Sequence, residues 1–119
     1  MPKHIHFILP EDKKPSDLDE KVTSCLNKYK PIKVKTYDQG EFKCALYEIP
    51  NQGAIEFDYF IEGNKMTTFE HEEDGVPKEP TKQLWAGCLM IVGFDENSDY
   101  FSKLMEDLGT NLKEYIDFS

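Results

Sequence analysis

Apolar and polar residues alternate over 3–9 (KHIHFIL), which predicts a first strand closed by Pro10. The composition then changes to helix-start chemistry. Ser16 suits an N-cap, and Asp17, Asp19 and Glu20 suit the positive end of a helix. Leu18, Val22, Cys25, Leu26 and Tyr29 follow as one apolar stripe. Lys21, Lys28 and Lys30 lie toward the C-terminal end, and Pro31 forbids continuation.

Short β-rich runs come next, over 32–37 and 41–49, joined by Asp38-Gln39-Gly40. Residues 50–53 form a second turn, 54–61 a further strand, 62–64 a turn and 65–70 another strand, giving a four-stranded antiparallel meander. In 54–61, Ile55, Phe57, Tyr59 and Ile61 share one face, while Glu56, Asp58 and Phe60 share the other. Strict alternation of this kind means one buried and one solvated side. The segment 71–80, with two prolines, a glycine and five charged residues, reads as an exposed loop.

The run 84–94 (LWAGCLMIVGF) fits either a buried strand or a buried helix; Ile91, Val92 and the glycines favour a strand over 87–94. Phe101, Leu104, Met105, Leu108, Leu112, Tyr115 and Ile116 form a stripe in phase through Gly109. The spacing predicts one helix over 98–117, and the competing reading breaks it at Gly109. The order β-α-β-β-β-β-β-α predicts an α+β fold: a mostly antiparallel β-sheet with two helices packed on one face.

Length places all of 1–119 in a single domain, and 39% apolar residues with fifteen aromatics suffice for one core. Charge changes the picture more. Residues 1–69 hold eleven acids and ten lysines; residues 70–119 hold twelve acids and four lysines, and the chain has no arginine. The net charge of −9 disfavours direct contact with nucleic acid or anionic membrane and favours a basic protein partner, a toxin or a nucleic-acid-binding enzyme. Three widely spaced cysteines, no CxxC pair and no apolar N-terminal segment lead to the expectation of a cytoplasmic protein without structural zinc. The longest apolar run, 84–94, is about half a bilayer span.

The densest acids are Glu70, Glu72, Glu73 and Asp74. A calcium loop counted from Glu70 places Gly75 sixth, but Thr81 falls where a closing glutamate is needed. Asp95, Glu96 and Asp99 adjoin the last helix. Together with Glu56 and Asp58 these acids form the expected partner-binding surface, with Phe60 and Tyr100 as apolar anchors. Trp85 suits either the core or an exposed anchor. His4 and His6 project from one strand face, a start for a metal site or for acid–base chemistry with Glu56 or Asp58, but no further ligand spacing accompanies them. Cys25 and Cys44 read as small buried hydrophobes, and no nucleotide-binding, hydrolase or kinase signature is present. No catalytic residue, metal or cofactor is assigned.

The leading expectation is therefore a small acidic inhibitor that occludes a basic target, of the immunity-protein or nucleic-acid-mimic kind. The alternatives are a small ligand-binding domain or enzyme using His4 and His6, and a regulatory domain that oligomerises through a sheet edge.

Overall fold

The alternation in Gly53–Phe60 divides the molecule into two sides, and the computed structural model, which describes residues 3–116, builds everything else around that strand. Seven strands and two helices form an α+β fold. The strands are β1 (Lys3–Phe7), β2 (Ile32–Gln39), β3 (Phe42–Ile49), β4 (Gly53–Phe60), β5 (Lys65–Glu73), β6 (Val76–Trp85) and β7 (Gly87–Val92). The helices are α1 (Pro15–Asn27) and α2 (Asp99–Asn111). β1, β7, β4, β3 and β2 form, in that order, a five-stranded sheet, and each neighbouring pair is antiparallel.

One face of this sheet carries the core. Phe7, Tyr47, Ile55, Phe57, Leu89 and Ile91 are buried there against Leu18, Val22 and Leu26 of α1 and Leu104 and Leu108 of α2. Burying a side chain of this size contributes roughly 1.5–3 kcal/mol. Two tyrosines fasten α1 at its polar rim: the Tyr59 hydroxyl donates to Asp19 Oδ2 at 3.2 Å, and the Tyr29 hydroxyl donates to the Asp107 carboxylate on α2.

The helix ends depart in part from expectation. α1 starts at Pro15 with Lys14 as N-cap, so Ser16 is not the cap. Proline fits the first helical position because its missing N–H would be unpaired there anyway. Asp17 Oδ2 accepts instead from the Lys14 N–H at 2.8 Å. Ser98 caps α2, its Oγ accepting from the Phe101 N–H at 3.1 Å. α2 runs through Gly109 but ends at Asn111 and is followed by a 3₁₀ turn, Lys113–Tyr115. The rest of the expected helix, 117, lies outside the described residues.

The larger correction concerns 71–80. The acidic, proline-containing segment is not a loop but the end of β5, a tight turn and the first half of β6, which pair as a separate two-stranded sheet. Asp74 (φ 54°) and Gly75 (φ 79°) both adopt left-handed backbone, the two-residue Asp-Gly turn that matches strand twist. Pro77 and Pro80 are accommodated because a two-stranded ribbon leaves each strand one open side. The central meander accordingly has three strands, β2–β3–β4, with β5 diverted into the ribbon. This arm stretches the molecule: its radius of gyration is 15.2 Å, against about 13.5 Å for a compact chain of this length.

The sheet's two edges differ. Along β1, the Ile8 N–H donates to the Tyr115 carbonyl at 2.7 Å and Phe7 bridges to Ile116. Beyond β2 no strand pairs among the described residues, and Ile32 and Val34 are exposed there between Lys33 and Lys35, beside a bulge. Among the described residues, no helix is long and apolar enough to cross a membrane.

Candidate functional site: the helix-free face of the sheet

The strand registers place chemistry-bearing residues in rows on the face opposite the helices. Cys44 of β3 stands opposite Asp58 of β4, Asp58 opposite Cys88 of β7, and Cys88 opposite His6 of β1, with Tyr37 of β2 continuing the row. The next row reads Lys35, Leu46, Glu56, Met90 and His4. Side chains opposite one another on adjacent strands stand about 5 Å apart, so each row is a contact chain.

The arm turns this face into a groove. Trp85, the last residue of β6, stacks on His6 (centroids 5.3 Å apart), meets Phe60 edge-on at 5.7 Å and Phe69 of β5 at 6.2 Å. Phe42 meets Phe60 edge-on at 5.8 Å. The root of the arm is held by Phe60 N–H donating to the Ala86 carbonyl at 2.8 Å and Ala86 N–H donating to the Phe7 carbonyl at 2.6 Å. The result is a groove of about 460 Å³ with aromatic walls; His4, His6, Glu56, Asp58, Cys88 and Met90 complete its lining. That volume lies within the range of small-molecule sites, roughly 300–1,000 Å³. A second hollow of about 340 Å³, between the α1 side and β2–β3, is more polar and includes Asp19, Lys33, Tyr37 and Lys43.

Electrostatically the groove is unbalanced. Burial, then the charge of Asp58, holds the Glu56 carboxyl above its ordinary value. Among the described residues, Asp58 Oδ1 and Trp85 Nε1 are both buried without a hydrogen-bond partner, an unsatisfied acceptor and an unsatisfied donor on two residues that line the groove. Burial, then His4, lowers the pKa of His6 and favours its neutral form. Cys88 is pushed up to about 12 by burial and then by Asp58; Cys44 is pushed up to about 12 by burial and then by its hydrogen bond with Asp58. These are protonated thiols, the opposite of an activated nucleophile. Among the described residues, no three histidine, cysteine or acidic side chains converge to hold a metal ion.

A cysteine at its ordinary value of 9.0 is about one-tenth thiolate at pH 8, whereas one near 12 is thiolate at the level of about 10⁻⁴. Iodoacetamide at pH 8 is therefore expected to alkylate Cys44 and Cys88 more than about tenfold more slowly in the folded protein than after denaturation, as mass spectrometry of quenched samples would show. Native rates within tenfold of the denatured ones would refute the protected environment.

The structure brings together some of the residues singled out from sequence and separates others. Glu56, Asp58 and Phe60 lie in the groove beside His4 and His6. Glu70, Glu72, Glu73 and Asp74 are exposed on the arm, where Glu73 pairs with Lys78. Asp95, Glu96 and Asp99 follow the far end of β7, about 20 Å along that six-residue strand from the root of the arm. Glu96 pairs there with Lys3 at 3.5 Å. Tyr100 is not a protruding anchor; it is half-buried between Tyr29 and Phe94. The acids therefore do not gather into one surface. Phe42, Phe69, Cys88 and Met90 were not singled out beforehand. The alternation Cys88-Leu89-Met90-Ile91 was the available signal, because it puts Cys88 and Met90 on one face once 87–92 is a strand.

No protein-family model, curated protein or solved structure matches this chain. The functional reading rests on the groove.

Proposed function

We infer that this protein is a non-catalytic binding domain whose ligand seats in the groove between the helix-free face of the sheet and the arm. One observation carries the reading: a half-enclosed, aromatic-walled groove that holds a buried acceptor, Asp58 Oδ1, and a buried donor, Trp85 Nε1, both unpartnered. An unpaired buried polar group costs roughly 1–3 kcal/mol, and a ligand supplying the missing partners recovers part of that cost. Few directional groups set in an apolar surround is the ordinary build of a ligand site. Binding is favoured over catalysis because the Cys44 and Cys88 thiols are held protonated. Occlusion of a basic target through an acidic surface has less support, since the acids on the arm and those after β7 stand at opposite ends of the sheet.

The test is a screen of small aromatic fragments, neutral and charged, by amide and indole NMR shifts on the full chain. Hits are expected to move the Trp85 indole N–H together with the amides of His6, Asp58 and Cys88. The substitution Met90→Trp, which fills the groove floor, is expected to abolish them. Hits that cluster in the hollow near Asp19 and Lys43, or that survive Met90→Trp, would overturn the assignment.

A further inference from the structure

We propose that the group bound in this groove is an organic cation, an ammonium or guanidinium whose hydrocarbon part lies against Phe42, Phe60 and Trp85 and whose charge meets Glu56 and Asp58. The inference rests on the groove being the binding site and goes beyond that reading by naming the chemistry of the ligand.

Three observations converge on it. First, Glu56 and Asp58 stand two residues apart on one strand face, and neither forms an ion pair with a lysine among the described residues. The lysine pairs found there join Lys3 to Glu96, Lys13 to Glu114, Lys65 to Glu41 and Lys78 to Glu73, all elsewhere. Lys35, the lysine on this face in the row of Glu56, lies over the Tyr37 ring at 4.9 Å instead. Two carboxylates this close repel each other unless they share a proton, and burial and Asp58 raise the Glu56 pKa accordingly; a cation between them favours both in the charged form. Secondly, Asp58 Oδ1 lacks a donor, and ammonium and guanidinium groups are donors only. Thirdly, Phe60 meets both Phe42 and Trp85 nearly perpendicularly, at interplanar angles of 89°. Rings at right angles form corners that hold the hydrocarbon part, and an aromatic π-face beside the carboxylates adds attraction for the charge. An anion would meet the two carboxylates, and a neutral apolar ligand would leave Asp58 Oδ1 without a donor, whereas Glu56 already accepts from the Tyr37 hydroxyl at 3.5 Å.

Wild-type protein suffices for the deciding comparison, with three ligands of matched size read by fluorescence of the single tryptophan, Trp85, and by its indole N–H shift. Benzylammonium is expected to bind at least tenfold more tightly than benzyl alcohol, and phenylacetate more weakly than either. Its advantage should disappear in Glu56→Gln/Asp58→Asn, with the circular dichroism spectrum unchanged. Equal affinity for benzylammonium and benzyl alcohol would overturn the cation assignment while leaving the groove as the site. Tighter binding of phenylacetate would also overturn it. No response of Trp85 to any of the three would remove the groove reading and the cation assignment together. A blocked Gly-Arg-Gly tripeptide separates the sources of the cation: tighter binding than benzylammonium identifies a basic side chain of a protein, and weaker binding identifies a small amine. Either result supports the cation.

Discussion

Replacing Phe57 by alanine is expected to remove about 3–5 kcal/mol of folding free energy, measured as a lowered urea midpoint at unchanged slope. Phe57 is 1% exposed and lies on the central strand of the sheet. Its ring meets Phe7 edge-on at 6.1 Å and stacks on Tyr59 at 5.3 Å, and in register it faces Leu89 and Ala45. The strands on both sides hold the backbone in place, so the cavity left behind has little means of collapse, which puts the site toward the costly end of the range. Domains of this size have about 5–15 kcal/mol in total; the variant should therefore be marginally folded. Phe60→Ala, three residues along the same strand but half-buried in the groove, is expected to cost less than half as much. Similar losses for the two would show that the helix-free face is packed as tightly as the core, contrary to the presence of a groove.

The second large effect is expected at Gly87. A Cβ at this position would lie 2.4 Å from the Asp58 carbonyl oxygen and 3.0 Å from Tyr59 Cα, because Gly87 is paired with Tyr59 on the neighbouring strand at close range where the arm leaves the sheet. Neither obstacle is a flexible side-chain end; the backbone itself must move. Gly87→Ala is expected to destabilise by about 3 kcal/mol or more, the upper end for overpacking. It should also displace Trp85 from His6, seen as a change in tryptophan emission. Gly109→Ala is the matched control. It lies inside α2 with nothing within 4 Å of the added carbon, so alanine should stabilise the helix by up to ~1 kcal/mol. Were Gly87→Ala as mild as Gly109→Ala, the close approach of β4 and β7 at Tyr59 and Gly87 would be wrong, and the groove floor with it.

The parts of this fold that could be read from the chain are those with a local cause. The α1 stripe of Leu18, Val22, Cys25 and Leu26 is buried as its spacing requires, and the alternation of Ile55, Phe57 and Tyr59 against Glu56 and Asp58 does separate a core face from an open one. The arm could have been read from Asp74-Gly75, a turn signal flanked by β-capable residues; the surrounding charge and the two prolines obscured it. The groove could not have been read in this way. It arises because β7 inserts between β1 and β4, joining His6, Cys88 and Asp58 across long stretches of sequence, and no local pattern encodes that pairing. Charge misled for the same reason. Counting acids in 70–99 registers their number, but β7 runs the length of the sheet between Asp74 and Asp95 and sends the two groups to opposite ends.

The unequal borders of the five-stranded sheet also limit how copies of the chain could polymerise. Growth by lateral addition requires two receptive rims per molecule, and here the Tyr115–Ile116 segment covers the Phe7–Ile8 end of the one along β1. Two copies joined β2 to β2 would consume the β2 rim of each, and further lateral growth would have to start from the Lys3–His6 part of β1 or from the open sides of the arm.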